Sequence, residues 1–272
     1  MTHKERRVLI KANAKERLKS NNSNPYLGTL IIAAVMIGIV ILAIISIAVP
    51  LVMGVLMQAQ SEYNPMGAIL IMGGNISNTI LNIIMPILFS ILMIGFGWYT
   101  FKIYRGEENR YRDIFSGFSV RGLWIFCSNF LAGFFEGILA LVVTLIVMVP
   151  VMIIIFSKII INMGDAEVLM IIFTAMIAIW ILSIPVYIIA YGLRLINYIM
   201  YDDSKINAFN VLFKSWKMMK GHKWELFKLD LTFIGWYIIT VITLGIAGIY
   251  TMPYFYTVYA GFYEEIKKEY VD

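Results

Sequence analysis

Long uncharged stretches alternate with short charged ones along the chain. No charge falls between Lys19 and Glu62, and none between Glu62 and Lys102. Crossing a bilayer takes about 20 predominantly apolar residues. Four apolar runs meet that requirement, at 28–57, 75–101, 124–156 and 168–200. Pro86, Pro150 and Pro185 lie inside the second, third and fourth. A proline there implies a kink whose freed carbonyl is met by a neighbouring helix or side chain. A fifth run extends from Trp224 to Leu244. The remainder, GIAGIYTMPYFYTVYAGFYEEIKKEYVD, reads as a turn at 245–248 and a short last helix with Pro253 in its first turn. Proline is tolerated there because its missing N–H costs nothing. The expected fold is all-α: a polytopic transmembrane helical bundle of about six spans, five being the alternative.

The basic residues set an orientation, because positive loops stay cytoplasmic. Residues 1–24 carry seven basic groups and two acidic ones, and residues 58–74 carry no basic group. Five basic residues fall in 102–123, only Lys158 in 157–167, and six lysines in 201–228. The N-terminus, 102–123 and 201–228 are thus expected inside. A sixth span would return Lys267 and Lys268 to the cytoplasm, with both termini inside. Three parts follow: a basic cytoplasmic N-terminal helix (1–24), one transmembrane bundle (25–266) and a short tail (267–272).

Composition agrees with the pattern. Of 272 residues, 60% are hydrophobic and 14% charged, and mean hydropathy is +0.81. A soluble domain is about 45–50% apolar and about 25% charged, so a chain this apolar could not cover its own surface in water. The first apolar run is too long for a signal peptide, whose apolar region spans about 7–15 residues. Cys127 is the sole cysteine, which excludes an intrachain disulfide and a thiolate metal cluster. The net charge of +5 matches the excess of the N-terminal tail alone. Plain topological retention on the cytoplasmic side accounts for such a tail, and it is also attracted to anionic lipid there by about 1 kcal/mol per basic residue; nucleic acid is not an expected partner. A protein partner or a second copy of the chain is left open.

The tail KERRVLIKANAKERLK is rich in helix formers, yet Val8, Leu9, Ile10, Ala12 and Leu18 do not gather on one face. Residues 204–219 behave differently. Ile206, Phe209, Leu212, Phe213, Trp216 and Met219 share one side of a helix, with Ser204 as N-cap and Gly221 as stop. This amphipathic helix is expected in the cytoplasmic headgroups or against the bundle. Beyond it, MKGHKWELFKLDLTFIGW grades its charges by depth: Trp224 marks the interface, Glu225 and Lys228 share a face, and Asp230 lies roughly 9 Å deeper. Arg194 lies at a matching depth in the fourth span. An ionisable group there is costly and usually paired, so Arg194 and Asp230 form a candidate ion pair.

Glu136 stands near mid-membrane within Gly133-Phe-Phe-Glu-Gly137. Gly133, Gly137, Ala140 and Thr144 line a small-residue face that lets another helix approach. Glu136 borders that face, either as a proton or cation relay or as a protonated acid bonding across helices. Asn75, Asn78 and Asn82 form a polar stripe that could line a passage or tie helices together. No H-E-x-x-H, G-x-S-x-G or phosphate-loop pattern occurs. Nothing beside His222 supplies an identifiable nucleophile or metal constellation, so no catalytic residue, cofactor site or metal site is expected.

The C-terminal third resembles domain-of-unknown-function family 975, a group of bacterial multi-pass membrane proteins. The resemblance rests on YDDSKINAFNVLFKSWKMMKGHKWELFKLDLTFIGW and TLGIAGIYTMPYFYTVYAGFYEEI. Within them lie Ser215, Met219, Gly221 and Lys223, then Leu226, Phe227 and Leu229, then 233–236, Pro253, Tyr254 and 262–264. Thr232 departs from the serine common there. The resemblance implies location and architecture, and brings no catalytic residues. The expectation is a non-enzymatic envelope scaffold, accessory or immunity-type protein in the bacterial plasma membrane. The alternative is a small transporter or permease component using Glu136 and Arg194.

Overall fold

A computed structural model describes residues 2–21, 23–59, 65–156, 164–203 and 205–270. Among these, all regular structure is helical. The elements are α1 (His3–Ser20), α2 (Pro25–Ala59), α3 (Pro65–Arg105), a 3-10 segment (Tyr111–Phe118) and α4 (Val120–Phe156). Then come α5 (Asp165–Leu182), α6 (Ile184–Gly192), α7 (Ile196–Asp202), α8 (Ala208–Met218), α9 (Lys223–Leu231), α10 (Ile234–Ile242) and α11 (Gly248–Glu269).

Four helical stretches are long and apolar enough to cross a membrane: Pro25–Met57, Pro65–Arg105, Val120–Phe156 and Ala166–Asp202. Only 6% of the most apolar window is buried in the first, third and fourth. Fully burying one large aliphatic side chain is worth about 1.5–3 kcal/mol, and here dozens point outward, Trp180 at 74% and Phe156 at 85% exposure among them. Such surfaces are stable against lipid, which marks a membrane protein.

The chain divides into two compact units. One comprises Met1–Phe126 with Ile234–Phe262 and the other Cys127–Phe233 with Tyr263–Asp272. In the first, α2 and α3 form a long hairpin whose lower half is capped by α1, the 3-10 segment and α11. Leu18, Ile32, Leu92, Phe96, Tyr99, Ile103 and Ile114 make its core, with Met252, Tyr254 and Tyr256 packed on it. At Gly95 and Gly117 the backbones of α3 and the 3-10 segment nearly touch. A Cβ on Gly95 would fall 1.9 Å from the Ile114 carbonyl oxygen, and one on Gly117 2.0 Å from that of Ile91. Lys102 Nζ bonds Asp113 Oδ2 at 3.0 Å beside this crossing.

The tail is helical as expected, with a capping box between Thr2 and Glu5. What it buries is a single row, Arg6, Ile10, Ala14 and Leu18, four residues apart. A narrow row suffices because α1 packs on a ready-made core rather than on lipid.

Other expectations change. The fifth run is not one helix: it breaks at Thr232 and Phe233 into two nine-residue pieces, the first carrying Lys223, Glu225, Lys228 and Asp230. Pro253 is the sixth residue of α11, not in its first turn, because the helix begins at Gly248. The start of α11 meets the start of α2, with the Tyr26 and Tyr250 rings 5.2 Å apart. The six-span count is therefore not reached by the helices that qualify on length and hydropathy. The α8 helix is capped by Asn207, whose side chain accepts from the Asn210 N–H; Ser204 lies outside the described residues. So do 60–64 and 157–163, with Lys158, within the two expected outer loops, and the tail residues 271–272.

Alanine at Gly95 or Gly117 should lower the melting temperature of the detergent-solubilised protein, at a cost of about 1–3 kcal/mol or more from overpacking against fixed carbonyls. Gly137→Ala, where an added Cβ meets nothing within 4 Å, should leave the melt unchanged or raised.

Candidate functional site

Unit 2 contains a helix interruption surrounded by polar side chains. Between α6 and α7 the residues Leu193–Leu195 leave the helical path, freeing backbone groups that need partners. Ser215 of α8, fully buried, supplies two of them. Its hydroxyl donates to the Gly192 carbonyl at 2.9 Å and accepts from the Leu195 N–H at 3.3 Å. Gly192 makes this possible, since a Cβ there would lie 2.4 Å from the Trp216 ring. Lys223 Nζ stands 3.1 Å from the centroid of the same ring, and burial pushes its pKa down.

A polar seam runs beside the break. Asn129 Nδ2 donates to Asn197 Oδ1 at 2.6 Å, and Glu136, further along α4, feels the Arg194 charge only at longer range. On the opposite side, Tyr191 donates its hydroxyl to Asp230 Oδ2 at 2.8 Å, and the Tyr191 ring meets Phe227 edge-on at 6.1 Å. Glu136 and Arg194 form no bond with each other, and Asp230 is held by a tyrosine that the charge pattern did not single out. Asn129 and Asn197 were missed, and Ser215 was named only among the residues that carry the family resemblance.

The remaining candidates are placed apart from this seam. Asn75, Asn78 and Asn82 lie on an exposed face of α3, where Asn82 Nδ2 donates to the Asn78 carbonyl and side-chain oxygens, both at 2.8 Å. Asn78 and Asn82 border an apolar groove of about 440 Å³ with Pro86 and Met36. His222 lies between two carboxylates, Nδ1 3.5 Å from Glu225 Oε2 and Nε2 3.4 Å from Glu269 Oε2. Glu225 is 4% exposed and turned inward, while Lys228 lies over the Trp224 ring. Among the described residues no group of three or more His, Cys, Asp or Glu is arranged to hold a metal ion. The small-residue face at Gly133, Gly137, Ala140 and Thr144 is exposed rather than covered; a Cβ on either glycine would meet nothing within 4 Å.

The α8 helix turns inward by Val211, Ser215 and Met218. The face carrying Phe209, Phe213 and Trp216 points outward, at 58, 67 and 41% exposure. The polar Ser215 is inside because the helix break needs its hydroxyl. Of the expected apolar face, Phe209 and Phe213 stay exposed, while Met219 is buried and the Trp216 ring lies against Gly192.

The model of the family described as "Protein of unknown function (DUF975)" matches residues 1–270. The chain belongs to this family. No curated protein and no solved structure matches it. Several of the residues on which the resemblance rests have structural tasks. Ser215 bridges the helix break, Gly221 adopts a φ of +88° that ends α8's approach to α9, and Lys223 caps Trp216. Leu226, Leu229 and Phe233 are buried at 1% exposure or less. This stretch is therefore the part of the chain that joins α8 and α9 to the interrupted helix.

Replacing Ser215 by alanine should cost about 1–3 kcal/mol, since two buried backbone groups lose their partner. Threonine at the same place should recover part of the loss. Thermal unfolding of the two variants in one detergent checks both.

Proposed function

We propose that the protein is a non-enzymatic integral protein of the bacterial plasma membrane, acting as an envelope scaffold, accessory or immunity-type protein. One observation carries this reading. The polar side chains of the seam spend their hydrogen bonds on one another and on backbone, as Asn129 with Asn197 and Ser215 with Gly192 do. Such ties fix helices in one arrangement. A second reading, a small transporter or permease component, is favoured by the helix interruption at 193–195 next to Arg194 and Glu136, because interrupted helices build substrate sites in transporters.

Solvent access separates the two. With Cys127→Ser as background, Glu136→Cys should resist a membrane-impermeant maleimide from both sides of the membrane. Rapid labelling from either side would favour transport.

The positive-inside pattern supports a cytoplasmic N-terminus, and Lys267 Nζ lies 2.6 Å from Asp202 Oδ2 at the end of the fourth crossing, which supports a cytoplasmic C-terminus. We propose four full crossings, with α10 and the turn before α11 dipping into the lipid from the cytoplasmic side. The Tyr26–Tyr250 ring contact supports this over six crossings. Tyr26→Cys with Tyr250→Cys, again with Cys127→Ser, should be joined by a short bis-maleimide in native membranes. Six crossings would hold these positions about 30 Å apart, on opposite faces, and no cross-link would form.

A further inference from the structure

Unit 1 holds a cavity of about 380 Å³ that none of the foregoing uses. Small-ligand sites occupy about 300–1,000 Å³. Its walls come from four elements: Lys15 and Lys19 of α1, Tyr26 at the start of α2, Trp236 of α10, and Tyr250 and Tyr254 of α11. The lysines are four apart and so share one helix face. Among the described residues neither has a carboxylate partner. Lys15 Nζ lies 5.8 Å from the Tyr254 ring centroid.

Three features together define the ligand. Two ammonium groups converge without a counter-charge, which calls for an anion. Tyrosine and tryptophan surround them, residues that sit at headgroup depth where one end is apolar and the other wet. Beyond Trp236, α10 presents Ile238, Ile239, Val241 and Ile242 outward, an apolar track leading away from the charges. An anion alone would leave the aromatic walls and the track without a partner. An acyl chain alone would leave the ammoniums unneutralised.

We propose that this cavity binds the phosphate of one anionic phospholipid, with Lys15 and Lys19 on the phosphate oxygens, the tyrosines beside the glycerol and an acyl chain along α10. It rests on the reading of a cytoplasmic tail at anionic lipid and narrows that general attraction to one site. It also gives the C-terminal hairpin a reason to return to α1, since the site is incomplete without residues from both ends of the chain.

Native mass spectrometry of the full-length protein in mild detergent, titrated with phosphatidylglycerol, tests the site. The unmodified protein should retain one phosphatidylglycerol and little phosphatidylcholine. At about 1 kcal/mol per basic residue, each lysine is worth about fivefold, so Lys15→Ala with Lys19→Ala should weaken retention about 25-fold. Lys217→Ala with Lys220→Ala removes the same charge from the end of α8 and the turn after it, and should change retention less than about twofold. Millimolar glycerol 3-phosphate should not displace the lipid.

Equal weakening by both pairs would overturn the site while keeping general attraction to anionic lipid. Full displacement by glycerol 3-phosphate would assign the cavity to a soluble phosphate instead. No preference for phosphatidylglycerol in the unmodified protein would overturn the anionic-lipid reading itself. Both lysines are exposed, so the variants should melt with the unmodified protein in phosphatidylcholine. Should the double variant fail to fold, Lys19→Gln alone carries the test through its expected fivefold loss.

Discussion

Two peptide backbones meeting without side chains between them hold the first unit together. Where α3 crosses the 3-10 segment, Gly95 and Gly117 each leave no room for a Cβ, and the closeness of that crossing sets the positions of everything around it. Tyr99 is brought within 6.4 Å of Tyr111, ring to ring, and Ile114 is driven to full burial among Leu92, Phe96 and Ile103. The resulting surface is where α1 lays its row of four residues and where α2 enters past Gly28, whose missing side chain admits the Tyr99 ring. Interiors are packed at crystal-like density, so a displacement of even one methyl at the crossing would be passed to each of these neighbours.

The two kinds of surface in this chain answer to different solvents. Along α2, α4 and α5 the outward side chains are aliphatic on nearly every side, and their backbone groups are satisfied within the helix, as lipid demands. Where the helix between α6 and α7 does break, the demand is met by a serine brought from another helix. The polar residues of unit 2 follow the same logic. Asn129 is set against Asn197 and Asp230 against Tyr191, because an amide or carboxyl left alone in hydrocarbon costs several kcal/mol. Membrane helices gain little hydrophobic drive from packing together, so such bonds are what fix their register.

Hydropathy located the four long helices to within a few residues at most ends, because the constraint of spanning lipid is written directly as uncharged length. The second span is the exception: α3 starts at Pro65, ten residues before the expected Asn75, since the apolar run Met66 to Gly74 continues the helix, with Gly67 and Gly74 buried. The C-terminal third was harder to read. Its tyrosines suit a membrane interface and a protein core equally, and only the fold shows that Phe255, Val258, Phe262 and Tyr263 are buried in protein. At the site, Glu136 and Arg194 were conspicuous as isolated charges. Tyr191, Asn129 and Asn197 were not, because a hydroxyl or amide declares itself only once its partner, 39 or 68 residues away, is in place. The facing of α8 shows the same limit: periodicity found the apolar side but not which side the bundle would take.

The core that seats the N-terminal helix also contains Met252, Tyr254 and Tyr256. Synthesis reaches α1 long before these residues. The helices α2 and α3 are therefore inserted while the hollow beneath them is still unfilled, and the basic helix must wait until Met252 to Tyr256 have emerged. Contacts between the two ends of a chain are the slowest to form, and apolar surface left open meanwhile invites misassembly. Yield in overexpression should thus depend on the rate at which the last helix arrives more than on insertion of the first.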